Sequence, residues 1–190
     1  MVYILCREQL NLKQCTYGIK RNPQWKAVGR RILGTRKCKI DLYSDEKLMY
    51  TLKQKSIIGQ ILENIPVIAW WYRNKFYLYH DGVCCGSSRS DLKFGQLSLW
   101  FEFGADRYHL LTHSFAKQSL TKNGRQVAVY QRFDNADYGC HCLKDSVGPD
   151  ILLMFAVLIE TYTMLDQDCV SGYIPNDPYK ECASWRPPDE

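Results

Sequence analysis

The sequence predicts a mainly β fold: ten to twelve short antiparallel strands, in meander order, forming a sandwich or closed barrel with one late helix. Three observations lead there. Aromatic residues make up 13% of the chain, and flat rings suit pleated, half-buried surfaces. Short segments alternate apolar and polar side chains in the two-residue period of a strand, each followed by a turn signal. One stretch, Ile151 to Ile159, is apolar at nine consecutive positions and does not alternate.

In chain order, "YILCREQ" (3–9) and "KCKIDLY" (37–43) alternate as half-buried strands do. Ser44-Asp45-Glu46 makes a polar turn, and "KLMYTLKQK" (47–55) returns as a partner strand. "PVIAWWYRNKFYLYHDG" (66–82) reads as a hairpin turning at Arg73-Asn74-Lys75, with His80-Asp81-Gly82 ending its second strand. "GQLSLWFEFGADRYHLLTHS" (95–114) repeats the form around Gly104-Ala105-Asp106. The segment 115–133 contains Asn123-Gly124, the strongest short hairpin signal, because both residues accept the positive φ of a type I′ turn. "DYGCHCLKD" (137–145) supplies one more strand.

Gly148-Pro149-Asp150 then breaks the pattern, with Asp150 as a helix N-cap. Residues 151–165 carry apolar side chains on every side of a helical wheel for two and a half turns, and such a helix must be buried all round. A membrane span is the rival. Fifteen helical residues cover roughly 23 Å at about 1.5 Å each, short of the ~30 Å hydrocarbon core. Glu160 and two threonines interrupt the second half, and no basic flank anchors either end. The expectation is therefore no transmembrane segment and a barrel wrapped around this helix.

At 190 residues the chain fits one domain, residues 1–168, with a Pro- and acid-containing tail at 169–190. The opening "MVYILCREQL" lacks the features of a secretory signal, and nine Cys without regular spacing read as reduced thiols. Together these give a cytoplasmic expectation. Charge is uneven. Residues 1–40 carry ten Lys or Arg against one acid, Glu8, whereas the rest hold fifteen bases and nineteen acids. Arg30, Arg31, Arg36, Lys37 and Lys39 lie within ten residues, a set that suits anionic headgroups or nucleic-acid phosphates. No nucleic-acid-reading motif accompanies them, so sequence-specific recognition is not expected.

Chemistry-bearing patterns are sparse. In "CHC" on a strand, Cys140 and Cys142 share one face and His141 the other, which cannot wrap a zinc ion unaided. No nucleophile elbow, phosphate loop or zinc-binding helix motif occurs. Neither a cofactor nor a metal nor a catalytic residue is expected.

The last third of the chain resembles the tubby C-terminal domain, a superfamily shared with phospholipid scramblases and plant LURP-one-related proteins. The likeness is carried by "YHLLTHSFAKQSLTKNGRQVAVYQRF", "DYGCHCLKD" and "DILLMFAVLIETYTMLDQD", with Gly124, Ala128, Tyr138, Asp150 and Glu160 at the positions that pattern asks for. It implies twelve antiparallel strands closed around the apolar helix. It also implies a non-enzymatic module binding anionic phospholipid headgroups at a membrane surface, for which Arg30, Arg31, Arg36, Lys37 and Lys39 are the candidates. The alternative is a protein-interaction or scaffold domain with no lipid ligand.

Overall fold

A computed structural model describes residues 1–10, 14–20, 22–31, 38–54, 75–93, 96–114, 116–133 and 137–165. Twelve strands occupy them: β1 Val2–Leu10, β2 Gln14–Ile19, β3 Asn22–Arg31, β4 Cys38–Ser44, β5 Lys47–Gln54, β6 Lys75–His80, β7 Val83–Lys93, β8 Gln96–Phe103, β9 Asp106–Ser114, β10 Lys117–Lys122, β11 Arg125–Arg132 and β12 Tyr138–Cys142. One helix follows, α1, Pro149–Leu165. Each strand pairs antiparallel with the next, and β1 pairs with β12, from Val2 opposite His141 to Leu5 opposite Tyr138. Closure removes both free edges. The sequence-predicted meander is thus a closed barrel.

Turn chemistry drives the hairpins. Asp45-Glu46, Asp81-Gly82 and Asn123-Gly124 each place two successive residues at positive φ, matching the strand twist that tight hairpins require. Asn123 adds a second tie: its Oδ1 accepts from the Arg107 N–H at 2.8 Å and its Nδ2 donates to Asp106 at 2.9 Å. The expected turn at Arg73-Asn74-Lys75, the strand before it and the tail at 169–190 lie outside the described residues, apart from Lys75, which opens β6.

The helix starts earlier than the sequence suggests. Its first bond runs from the Leu152 N–H to the Gly148 carbonyl at 3.2 Å, so Gly148 takes the capping position and Pro149 the first helical one. Proline suits that place because its missing N–H has no partner there anyway. Asp150 is therefore a first-turn residue, not the cap. Its carboxyl is pushed up by burial, an effect opposed by hydrogen bonds from the Ile151 and Asp150 amides.

Residues 151–160 of α1 are all buried inside the barrel. Inward side chains from the surrounding strands meet them, among them Leu5, Tyr17, Ala27, Leu42, Leu52, Phe76, Phe101, Leu110, Leu120, Tyr130 and Cys140. The helix lies closest to β2, β3 and β4. Inward positions Ala27 and Gly29 of β3 are small, and they face in beside Ile40 and Cys15, which lets the helix approach. On the far side Phe155 fills the wider gap, packing edge-on against Phe101 at 6.0 Å and tilted against Tyr108 at 6.2 Å between ring centroids. Each fully buried Leu, Ile or Phe contributes about 1.5–3 kcal/mol over exposure, so the helix is the main element of the core.

Candidate functional site

Because α1 fills the lumen, ligand-facing chemistry must be sought on the outer wall. Register decides which side chains meet there. Arg30 of β3 lies opposite Lys39 of β4, Lys39 opposite Lys53 of β5, and Lys53 opposite Tyr77 of β6. Alternation with the core residues Ile40, Leu52 and Phe76 points this whole row outward. Three cations therefore stand side by side across β3, β4 and β5.

Like charges on adjacent strands repel, and one carboxylate offsets part of that cost. Asp41 Oδ2 accepts from Arg30 Nη1 at 3.1 Å and from Lys39 Nζ at 2.9 Å, while its Oδ1 accepts from Thr51 Oγ1 at 2.7 Å. The Asp41 side chain is 1% exposed, against 48% for Arg30 and 37% for Lys39. Both cations thus keep a solvent-facing surface above a buried anion. Lys53 Nζ sits 5.5 Å from the centre of the Tyr79 ring, a cation–π contact that steadies it over the wall. With three cations and one carboxylate, the row carries a local charge of +2.

Of the sequence-predicted basic residues, Arg30 and Lys39 are brought together at Asp41. Arg31 closes the β3–β4 ladder opposite Cys38, and its side chain is outside the described set, as are residues Arg36 and Lys37. Lys53 was not singled out from sequence. It lies fourteen positions beyond Lys39, and only the hairpin register brings it alongside. Lys26, also in the basic N-terminal region, is held by Glu8 at 2.7 Å.

The same outer row continues as Tyr77, Ser87, Glu102 and Arg107 across β6 to β9. There it borders a groove of about 410 Å³, lined also by Arg89 and Trp100. Trp100 stacks on His109 with ring centroids 3.9 Å apart and planes 6° from parallel. Ser98 Oγ contacts His109 Nε2 at 2.7 Å, which fixes the imidazole. Ser98 is set within the β8–β9 ladder, opposite Leu111.

The CHC segment behaves as its alternation predicts. Cys140 and Cys142 are buried in the core and His141 points the other way, half-buried. Burial pushes both thiols above the ordinary range, which disfavours the thiolate a metal needs. Among the described residues no group of three His, Cys, Asp or Glu side chains is placed to hold a metal ion. No described helix is long and apolar enough to cross a membrane. Comparison of the chain with protein-family models, with curated proteins and with solved structures finds no match.

Proposed function

We propose that this chain is a tubby-like, non-enzymatic binding domain that docks anionic phospholipid headgroups at a membrane surface through the outer wall of β3, β4 and β5. The observation that carries this reading is the register row Arg30, Lys39 and Lys53, three neighbouring cations of which Arg30 and Lys39 sit over the buried Asp41 carboxylate. A surface of this kind is attracted to an anionic leaflet by about 1 kcal/mol per basic side chain near it. Arg31 ends the same strand as Arg30, and Arg36 and Lys37 belong to the chain joining β3 to β4. By position in sequence they extend the set. The filled lumen, with residues 151–160 buried in it, supports an exterior site.

Sedimentation with vesicles tests the reading. The parent protein should pellet with vesicles containing phosphatidylserine or phosphoinositide and not with neutral ones, and added salt should weaken the effect within the Debye regime. Lys53→Glu combined with Lys37→Glu should abolish pelleting with Arg30, Lys39 and Asp41 all kept. Pelleting unchanged in that variant overturns the lipid site. No pelleting by the parent protein leaves the protein-interaction alternative in its place.

A further inference from the structure

The groove beside Trp100 has a composition that the headgroup reading does not use. One face of the Trp100 indole is covered by His109, and His109 is held in turn by Ser98. The groove is lined by Trp100 but not by His109, so it presents the opposite indole face. Trp100 is 42% exposed despite that stack. Arg89 is its register partner on β7 and lines the same groove. Arg107 stands at the other end, where its Nε meets Glu102 Oε1 at 3.3 Å. Both members of that pair are well exposed, and exposed pairs are weak, so Arg107 can turn to a bound anion at little cost. Tyr77 and Ser87 complete the wall with hydroxyl groups.

These parts define a ligand. A pre-stacked indole accepts a flat ring. Two arginines and one glutamate line the groove, and a guanidinium fork matches phosphate oxygens. Glu102 is an acceptor for hydroxyl or amino donors on the same molecule. We infer that the groove binds a nucleotide: the base on Trp100, the phosphate between Arg89 and Arg107, and a sugar hydroxyl or base amine on Glu102. A phosphotyrosine ring offers the phosphate but no donor for Glu102, and a neutral sugar leaves the arginines unused. The volume falls within the range of small-ligand sites. The source is a free mononucleotide or one unit of a single strand, since both present the same base and phosphate.

Calorimetric titration of the intact chain with adenosine monophosphate, adenosine, inorganic phosphate and a short oligoadenylate tests the inference. Adenosine monophosphate should bind more tightly than adenosine or phosphate alone. Trp100→Ala should weaken it about tenfold or more, the usual cost of removing a stacking platform, and Trp100→Phe should restore most of the loss. Arg89→Ala should erase the preference for the monophosphate over adenosine. Tighter binding of the oligonucleotide points to a single strand and equal binding to a free nucleotide, and either outcome upholds the site. Absence of binding by both up to about 1 mM overturns it, as does Trp100→Ala binding like the parent. Circular dichroism and vesicle pelleting of Trp100→Ala should match the parent, which separates loss of this groove from misfolding and from failure of the headgroup site.

Discussion

Tyr138 donates its phenolic hydroxyl to Glu160 Oε1 at 2.7 Å, and Arg132 Nη2 reaches the same oxygen at 3.1 Å. Arg132 and Tyr138 are register partners on β11 and β12, so the two strands present one donor each to the same helix carboxylate. The Glu160 side chain is 3% exposed. A buried charge of this kind sets position better than it adds stability, and here it fixes how far α1 inserts and how it is rotated.

The consequence is a graded pair of variants. Tyr138→Phe removes one hydrogen bond to a charged acceptor and should cost about 1.5–3 kcal/mol. Glu160→Gln takes away the negative charge that Arg132 faces in a nearly dry site and should cost more, about 3–5 kcal/mol. Urea denaturation gives both values. Equal or reversed costs would mean that the carboxylate is not the anchor.

Alkaline stability follows from the same region. Tyr17, Tyr130 and Tyr138 are each pushed well above the ordinary phenol range, foremost by burial, with Glu160 adding to the shift of Tyr17 and Tyr138. A raised folded value means that the folded state holds the proton more tightly than the unfolded chain. Their contribution is therefore fully present below the unfolded value of about 10 and is lost as the pH rises above it. The part of the stability due to these phenols should be level to about pH 9.5 and then fall by roughly 1.4 kcal/mol per pH unit for each phenol. An earlier decline, from about pH 8.5, is due to the buried Cys140 and Cys142 thiols. Tyrosine ionisation followed at 295 nm should show these phenols titrating only together with loss of circular dichroism. Their smooth titration in folded protein would contradict the buried network.

Phe155→Asp tests the central helix itself. The side chain is fully buried between Phe101 and Tyr108, and an unpaired carboxylate there cannot be solvated. The whole domain should fail to fold, judged by solubility and near-ultraviolet circular dichroism. Phe155→Ala should fold with a loss of about 3–5 kcal/mol. A soluble, native-like Phe155→Asp protein would refute a barrel organised around α1.

How much of this was legible depends on what each strand shows of itself. Strands with alternating large residues, such as β4, β8 and β11, and turns with paired positive-φ residues, such as Asn123-Gly124, could be read directly. β7 could not. Its inward positions include Gly86 and Ser88, small because Phe76, Phe101 and Phe103 beside them take the space. A Cβ on Gly86 would collide with the Glu102 carbonyl. β2 and β3 were hidden for a similar reason: Ala27 and Gly29 are small where sheet and helix come close, and Gly18 is small on the outer face beside Glu8. The site was half legible. Arg30 and Lys39 stood out as a local cluster, but Asp41 and Thr51 as their anchor, and Lys53 as the third cation, emerge only from cross-strand register. Trp100 and His109 are likewise neighbours only across the β8–β9 hairpin.

Asp41 gives the sharpest test of the cationic row, because structure and binding should move in opposite directions. Asp41→Ala deprives Thr51 of its acceptor inside the wall and releases Arg30 and Lys39. Those two side chains are about half exposed and can turn to water, so the pairs themselves count for little. The loss should be about 1–3 kcal/mol, dominated by the buried hydroxyl. Binding should respond the other way. Removing the carboxylate raises the row from two net positive charges to three, worth about 1 kcal/mol more attraction to an anionic surface. Thermal melting and vesicle sedimentation on the same preparation read both effects. A variant that is less stable yet pellets more tightly identifies Arg30, Lys39 and Lys53 as the contact, with Asp41 as its brace. A variant that loses stability and pelleting together would make the cluster structural alone.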